Sequence, residues 1–301
     1  MMDRVGLSDS LSCPDCQTVA NRVMDLSLAG KSTAEIKAIM ATECYTMFPN
    51  PEDGKSCESS ASFMLLLGPS MVEKATKMYW NAEAFCAGWL TSCTIDCCES
   101  DAPEQVRLSL YSDFSSIGVT WLQRSAAPLT VTVTTESGET VARVKSVADT
   151  YTGGGWIGNA HNALLAGLKC GTRYNYFIDD ATTPSHARRA ADSARATAAF
   201  SSSFRTPACG AGVTSPLRLA HVADIDYDAE ASRTAALLAK LAAQGELDAV
   251  LLVGDVGYAD GYERHNDMFG RVVSMFGSRV PVLACPGNHE VDDQRVCTDK
   301  E

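Results

Sequence analysis

No run of 18 apolar residues occurs anywhere in this chain of 301, so no segment reads as a membrane-spanning helix. Basic residues are scarce: 25 Lys and Arg face 37 Asp and Glu, leaving a net charge of -12. Such a surface repels phosphate backbones, and no basic stripe offsets it, which argues against nucleic acid as a partner. The acidic excess is uneven, with 7 basic and 13 acidic groups in residues 1–100, 10 and 9 in 101–215, and 8 and 15 in 216–301. There is no Asn-x-Ser/Thr sequon, and Met1 to Ser12 lacks the apolar stretch of a secretory leader. Histidine is sparse too, confined to His161, His186, His221, His265 and His289. Against these shortages stands a hydrophobic fraction of 46% with 21% charged residues, which excludes a disordered tail. At ~100–200 residues per domain, the length allows two or three folded modules.

Cysteine is what the chain has in excess: of 12, eight fall before residue 99. That density points to an oxidising compartment, which makes the expected location secreted, lysosomal or vacuolar. With no leader at Met1, the expectation is that the start of the chain is missing or mis-assigned; a cytosolic protein with reduced thiols is the simpler alternative. Cys13, Cys16, Cys44, Cys57, Cys86 and Cys93 are separated by 2, 27, 12, 28 and 6 residues. This is not zinc-site spacing, which would follow a CxxC with a second close pair or a His pair. By arithmetic alone, six cysteines allow ~15 pairings. The segments between them have helical periodicity, in Val19, Val23 and Leu26, then Ile36 and Ile39, then Phe63, Leu66 and Leu67. Gly68-Pro69 should break the third stretch, with Met71, Ala75, Met78 and Tyr79 resuming its stripe. Residues 11–98 therefore read as a small helical bundle whose thin core is supplemented by disulfides.

Residues 104–207 change character. Strand-like runs rich in Val, Thr and aromatics are predicted at 105–111, 118–122, 129–134, 141–147, 174–178 and 197–204, with turn residues between them, the pattern of a β-sandwich. Trp121 is a candidate core tryptophan, and Tyr174 a candidate tyrosine corner. His161 is left unassigned. His186, with Arg188 and Arg189, reads as part of a solvated loop, since the cluster has no positional partner.

From residue 216 the punctuation becomes βαβ. Apolar strands at 217–223, 249–253 and 280–284 alternate with helices at 229–243 and 262–276, which implies a parallel sheet whose ligands gather beyond the carboxyl ends of the strands. Those ends carry Ala223-Asp224-Ile225-Asp226, Gly254-Asp255-Val256-Gly257-Tyr258 and Gly287-Asn288-His289-Glu290. Carboxylates suit hard or borderline cations, and two cations ~3.5–4 Å apart can clamp a phosphoryl group. A carboxylate between them would bridge, Asn288 supplies a neutral oxygen, and His289 can meet a phosphate oxygen or protonate a leaving group. Each segment alone reads equally as a strand-end turn or cap; three in order after three predicted strands favour a site.

Three resemblances follow. The cysteine pattern of residues 11–98 resembles a saposin B-type domain, which implies pairing of Cys13 with Cys93, Cys16 with Cys86, and Cys44 with Cys57. Cys97 and Cys98 fall outside it. Such domains commonly bind lipid or present substrate to an attached enzyme, so a lipid or membrane surface is an expected partner, although the stripes serve equally as core. The phrases Gln105-Val106-Arg107-Leu108-Ser109-Leu110, Val119-Thr120-Trp121, Gly167-Leu168 with Tyr174-Asn175-Tyr176, and Phe204-Arg205-Thr206-Pro207 resemble the fibronectin type III-like domain of plant-type purple acid phosphatases. Gly254-Asp255-Val256-Gly257-Tyr258 matches the GDxxY motif of the same family, in the metallophosphoesterase superfamily. That resemblance implies an acid phosphatase acting on phosphate monoesters at a dinuclear centre of Fe(III) with divalent Zn, Fe or Mn. Asp255 would bridge the metals, Tyr258 and Asp224 would bind the iron, Asn288 would bind the divalent ion, and His289 would lie near substrate. The expected architecture is multidomain: a disulfide-linked saposin-like bundle (11–98), a fibronectin type III-like β-sandwich (104–207), and an incomplete α/β metallophosphoesterase domain (216–301).

Two departures qualify the match. Asp226 stands where the family usually has glycine, and it is expected to point to solvent rather than to a metal. Three histidines that the family takes from downstream motifs have no counterpart after His289, and strand alternation turns His221 away from the core, so the expectation is a truncated catalytic domain. An exposed sheet edge and apolar faces should follow. A sphingomyelinase-like phosphodiesterase is the alternative enzyme, disfavoured by the sandwich, by Tyr258 and by the lack of His in the first motif. A lipid- or carbohydrate-binding protein with a vestigial last segment is the non-enzymatic reading.

Overall fold

The computed structural model describes residues 11–66, 81–88, 93–179, 199–209, 216–259 and 262–290. The Gly68-Pro69 break with its stripe beyond, and the loop of His186, Arg188 and Arg189, lie outside them. Two compact units divide the chain. One comprises Met1–Ile95, Thr152–Trp156 and Gly261–Glu263; the other comprises Asp96–Tyr151, Ile157–Asp260 and Arg264–Glu301.

Helices dominate the first unit: α1 (Cys13–Leu28), α2 (Thr33–Met47), α3 (Pro51–Leu66) and α4 (Ala82–Gly88). Local chemistry sets their ends. Ser12 accepts the amide of Asp15 and Pro14 occupies the first turn of α1, while Ser32 and Glu35 form a reciprocal capping box at α2. Cys16, Val19, Ala20, Val23 and Leu26 make the buried stripe of α1, against Ile36, Met40 and Cys44 of α2 and Cys57, Ala61 and Met64 of α3. Arg22 and Glu43 form a two-pronged ion pair at 2.6 and 2.7 Å between α1 and α2. Disulfides join Cys13 to Cys93, Cys16 to Cys86 and Cys44 to Cys57.

The second unit holds a β-sandwich followed by an α/β segment. Its strands, after the short β1 (Ile95–Asp96), are β2 (Glu104–Leu110), β3 (Ile117–Gln123), β4 (Thr130–Thr135), β5 (Thr140–Lys145), β6 (Val147–Tyr151), β7 (Trp156–Leu165), β8 (Arg173–Asp179) and β9 (Phe200–Arg205). One sheet runs β1-β7-β3-β2 with β6 also on β7, and the other runs β5-β4-β8-β9. Trp121 is fully buried at the centre of the core with Val119, Val131, Val133, Leu165, Tyr176 and Ile178. Tyr174 accepts the Lys169 amide on its hydroxyl at 2.9 Å, the tie expected of a tyrosine corner. A further disulfide, Cys170–Cys209, secures the loop before β8 to the segment after β9. Cys97 and Cys98, which the cysteine pattern left unplaced, bond to each other.

Two differences from the sequence reading concern pairing. The single strand expected at 141–147 is two, because the chain changes sheets at buried Ser146: β5 pairs with β4 and β6 with β7. Strand β7, with Gly158, Asn159, Ala160 and Asn162, has poor strand propensity, yet it pairs with β3 over seven positions from Ile117↔Leu165 to Gln123↔Asn159. His161 is a core residue within it. Its ring stacks on Trp121 with centroids 5.2 Å apart, and its nitrogens meet Ser146 Oγ at 3.1 Å and the Ser125 carbonyl at 2.9 Å.

The α/β segment comprises β10 (Leu219–Val222), α5 (Ala229–Ala243), β11 (Ala249–Val253), α6 (Glu263–Gly277) and β12 (Val282–Cys285). The strands are parallel in the order β10-β11-β12. Ala231, Ala235 and Leu238 of α5 and Phe269, Val272, Val273 and Phe276 of α6 pack on Val250 and Leu252, covering one face. On the other face, Leu219 is 46% exposed, Leu283 41% and Val253 37%, and His221 is exposed beside them. Parallel sheets normally bury both faces, so this one is half-covered among the described residues.

Sandwich and α/β segment are joined within this unit. Leu108 and Pro281 make a parallel bridge, Tyr176 donates its hydroxyl to the Ser278 carbonyl at 2.7 Å, and Gln105 Nε2 donates to buried Asp267 Oδ1 at 2.9 Å. Burial pushes the Arg107 guanidinium pKa down, and the Asp267 carboxylate opposes that shift. Gln105 takes a left-handed backbone, φ 55°, and its amide fills a notch left by Gly270. A Cβ on Gly270 would stand 1.8 Å from Gln105 Oε1. Gly270→Ala should therefore expel the Gln105 amide, break its bond to Asp267 and cost about 1–3 kcal/mol. A thermal melt should show this as a loss of several degrees, while Gly30→Ala in the other unit, with nothing within 4 Å of its Cβ, leaves this transition in place.

Candidate metal centre

The three predicted segments come together because the strands preceding them are hydrogen-bonded neighbours. Past the strand ends the ladder continues: the Asp224 amide donates to the Gly254 carbonyl at 3.4 Å, and the Gly254 amide to the Cys285 carbonyl at 3.1 Å. Gly254, at φ 71°, would carry a Cβ only 3.4 Å from the Gly287 Cα. Asp224, Asp255 and Tyr258 adopt left-handed backbone with φ 52°, 44° and 44°. Side chains rarely take this conformation, and it costs of order 1–3 kcal/mol per residue. Three of the five non-glycine residues that do so among the described ones are predicted site residues.

Tyr258 donates its hydroxyl to Asp224 Oδ1 at 3.1 Å. Its pKa is pushed up to about 12, first by burial and then by the hydrogen bond to Asp224 and the negative charges of Asp224, Asp255 and Asp226. Left to itself, the phenol keeps its proton. The His289 ring lies against Tyr258, with centroids 4.6 Å apart, and the His289 amide donates to Asp255 Oδ1 at 3.0 Å. A cavity of about 330 Å³ opens beside Asp224, lined also by Asp226, Asp228, Glu230 and Tyr258.

The acidic run after Asp224 divides by role. Asp228 is the N-cap of α5, accepting the Ala231 amide at 2.8 Å, and Glu230 is paired to Arg233. Asp226 accepts the Tyr227 amide at 2.7 Å and lines the cavity alongside exposed Asp228 and Glu230. Glu290 is the residue whose role sequence reasoning missed: its carboxylate accepts backbone amides from two loops. Its partners are main-chain atoms, so no side-chain pattern announces them.

As donors, Asp224, Asp255 and Tyr258 fit a hard cation. All are oxygen ligands, and the proton between Asp224 and Tyr258 occupies the place where a cation would bind both. Among the described residues no cluster of three His, Cys, Asp or Glu side chains is assembled.

Comparison with known proteins finds similarity in both parts of this unit. Residues 217–300 match the calcineurin-like phosphoesterase family. Residues 103–200 match the purple acid phosphatase N-terminal domain, so the two matches follow one another along the chain. Acid phosphatase type 7 of Mus musculus is 28% identical over 194 residues, covering 62% of this chain and 40% of that protein. Purple acid phosphatase 22 of Arabidopsis thaliana is 37% identical over 90 residues, 30% of this chain and 19% of that protein. The structure of purple acid phosphatase PPD1 from yellow lupin (Lupinus luteus) seeds shares the fold with a TM-score of 0.51 at 21% identity, over 63% of this chain and 36% of that one. The chain thus spans about 40% of the length of the mouse relative.

Proposed function

We propose that this chain carries part of a purple acid phosphatase-type hydrolase of phosphate monoesters, with Asp224, Asp255, Tyr258 and Asn288 as ligands of a dinuclear centre. The observation that carries the reading is the meeting of Asp224, Tyr258 and Asp255, in left-handed backbone, beyond adjacent parallel strands. Bound there, Fe(III) with a divalent Zn, Fe or Mn would supply Lewis acidity toward a phosphoryl oxygen. The residues themselves do the rest. Asp255 holds the His289 backbone through its Oδ1, Tyr258 flanks the His289 ring, and the imidazole is thereby kept at the mouth of the site, where it can meet a phosphate oxygen.

The test is hydrolysis of p-nitrophenyl phosphate at pH 5 by the purified chain, together with its visible spectrum. Tyr258→Phe should abolish a tyrosinate-iron band while leaving the fold intact by circular dichroism. Metal analysis finding no iron, zinc or manganese in the native chain would overturn the reading.

The domain limits follow the same reading: 11–98 as a saposin B-type module, 104–207 as the sandwich and 216–301 as the start of the catalytic domain. Support for the saposin-like assignment comes from helices α1 to α4 and the nested bonds Cys13–Cys93 and Cys16–Cys86. Five disulfides among the described residues favour a secreted, lysosomal or vacuolar setting. A lipid surface is the partner such a module suggests, and flotation with liposomes at acidic pH checks it: recovery of the chain only in the pellet leaves the module as a stabiliser.

A further inference from the structure

Glu290 ends the third strand-end segment and has no part in the ligand set, yet its carboxylate bonds that segment to the second one. Its Oε1 accepts the amides of Val256 at 3.0 Å and Gly257 at 3.3 Å, and its Oε2 accepts the amide of Gly287 at 2.8 Å. Val256 adjoins Asp255, and Gly287 adjoins Asn288. One carboxylate therefore spans the two loops at the residues next to the ligands each supplies.

The three amides belong to irregular backbone, where strand pairing has ended and a donor needs another acceptor. A carboxylate answers this better than other side chains. It is acceptor-only on both oxygens, and its charge makes each bond roughly twice as strong as a neutral one. The placement carries an electrostatic cost, since it adds a negative charge to a neighbourhood already holding Asp224, Asp255 and Asp226. A neutral side chain would avoid that cost but could not accept on both sides. Gly287 shows how tightly the loops are drawn together: its missing Cβ would lie 2.1 Å from the Asp255 amide nitrogen.

We propose that Glu290 is a positioning residue that clasps the loop of Asp255 to the loop of Asn288 and His289, fixing the separation of the two ligand sets before any metal arrives. The proposal deepens the metal-centre reading in its functional consequence and rests on it there; the clasp itself depends on backbone contacts alone. Because both Glu290 carboxylate oxygens are engaged by backbone amides, it acts through the loops those amides belong to, which carry Asp255, Asn288 and His289.

The variants are Glu290→Gln and Glu290→Asp in the full chain. In Glu290→Gln one oxygen becomes an NH2 that faces an N–H, so one arm of the clasp is lost; in Glu290→Asp the side chain is about 1.5 Å shorter and reaches a single loop. Amide hydrogen exchange of the metal-free protein should speed about ten-fold or more at Gly287, or at Val256 and Gly257, while the buried amides of β11 keep their protection. Titration with Zn²⁺ alone should show affinity weakened about 10- to 100-fold with the melting temperature little changed, a split that a merely structural role would not produce. Exchange at all three amides within two-fold of the parent overturns the clasp. Faster exchange with unaltered Zn²⁺ affinity overturns the positioning role. A parent chain that takes up neither Zn²⁺ nor iron overturns the metal-centre reading and with it the positioning role, and exchange then still decides the clasp.

Discussion

Replacing Gly287 with alanine should disable the site. A Cβ there would stand 2.1 Å from the Asp255 amide nitrogen, 2.2 Å from Asp255 Oδ1 and 2.8 Å from Asp255 Cγ. None of these is a flexible side-chain end that can swing away, since Asp255 is held through the His289 amide on the very oxygen that would be struck. Gly287 is not among the glycines with positive φ, so the requirement is one of contact and not of backbone conformation. Relief needs the two loops to part by an ångström or more. A 1 Å displacement of a catalytic group costs on the order of 100-fold in rate, and overpacking of this kind costs about 1–3 kcal/mol in stability. The expected result is a loss of about 100-fold or more in kcat/KM for p-nitrophenyl phosphate, with a melting temperature only a few degrees lower. Gly167→Ala is the matched control: its φ of 70° is strained for alanine, but no atom lies within 4 Å of the added carbon. If Gly287→Ala and Gly167→Ala lose activity equally, the close approach of the two loops is not what the site depends on.

The same contrast between side-chain pattern and backbone geometry explains what sequence reading reached. Helix α5 was legible as a helix-forming run over 229–243 with Leu237, Leu238 and Leu241 as its expected face; the structure caps it with Asp228 and buries Ala231, Ala235 and Leu238, leaving Leu237 exposed. The three parallel strands were legible as apolar runs ending in Asp or Asn, and the ligand candidates followed from those ends. Strand β7 was not, since its Asn, Ala and Gly residues are held in a strand by seven paired positions on β3 that lie some forty residues away in sequence. Nor was the switch of sheets at Ser146, whose hydroxyl meets His161 and the Leu129 amide, partners 15 and 17 residues away. At the site, the left-handed backbone of Asp224, Asp255 and Tyr258 is imposed by tertiary contacts that override the preference of these residue types. Glu290 was quoted in its motif without a role for a related reason: its partners are amides 33 and 34 residues earlier, and an amide carries no identity in a sequence.

Opening the two nested disulfides of the helical unit should unfold it, and the two should not act independently. Cys13–Cys93 closes a separation of 80 residues and Cys16–Cys86 one of 70. With one bridge intact, the second closes a loop of only about ten residues, so removing either alone costs about 3 kcal/mol by chain entropy. Removing both frees the long loop as well and costs about 7 kcal/mol, within the range of a whole small domain's stability and more than a thin helical core is expected to supply. The core here is thin in this sense: Val19, Val23, Leu26, Ile36 and Met40 are its larger buried aliphatic side chains on α1 and α2, and the remaining buried positions of those helices are Cys16, Ala20 and Cys44. Circular dichroism melts at pH 7 should show a fall of roughly 12–24 °C for Cys13→Ser/Cys93→Ser and for Cys16→Ser/Cys86→Ser. The quadruple variant should lose the helical transition at 25 °C while the sandwich still melts cooperatively, because its Cys170–Cys209 bond and its buried Trp121 core lie in the other unit. A quadruple variant whose helical signal survives at 25 °C would show that packing and the remaining Cys44–Cys57 bond suffice to hold α1 to α3, and that the two nested disulfides are not what the fold depends on.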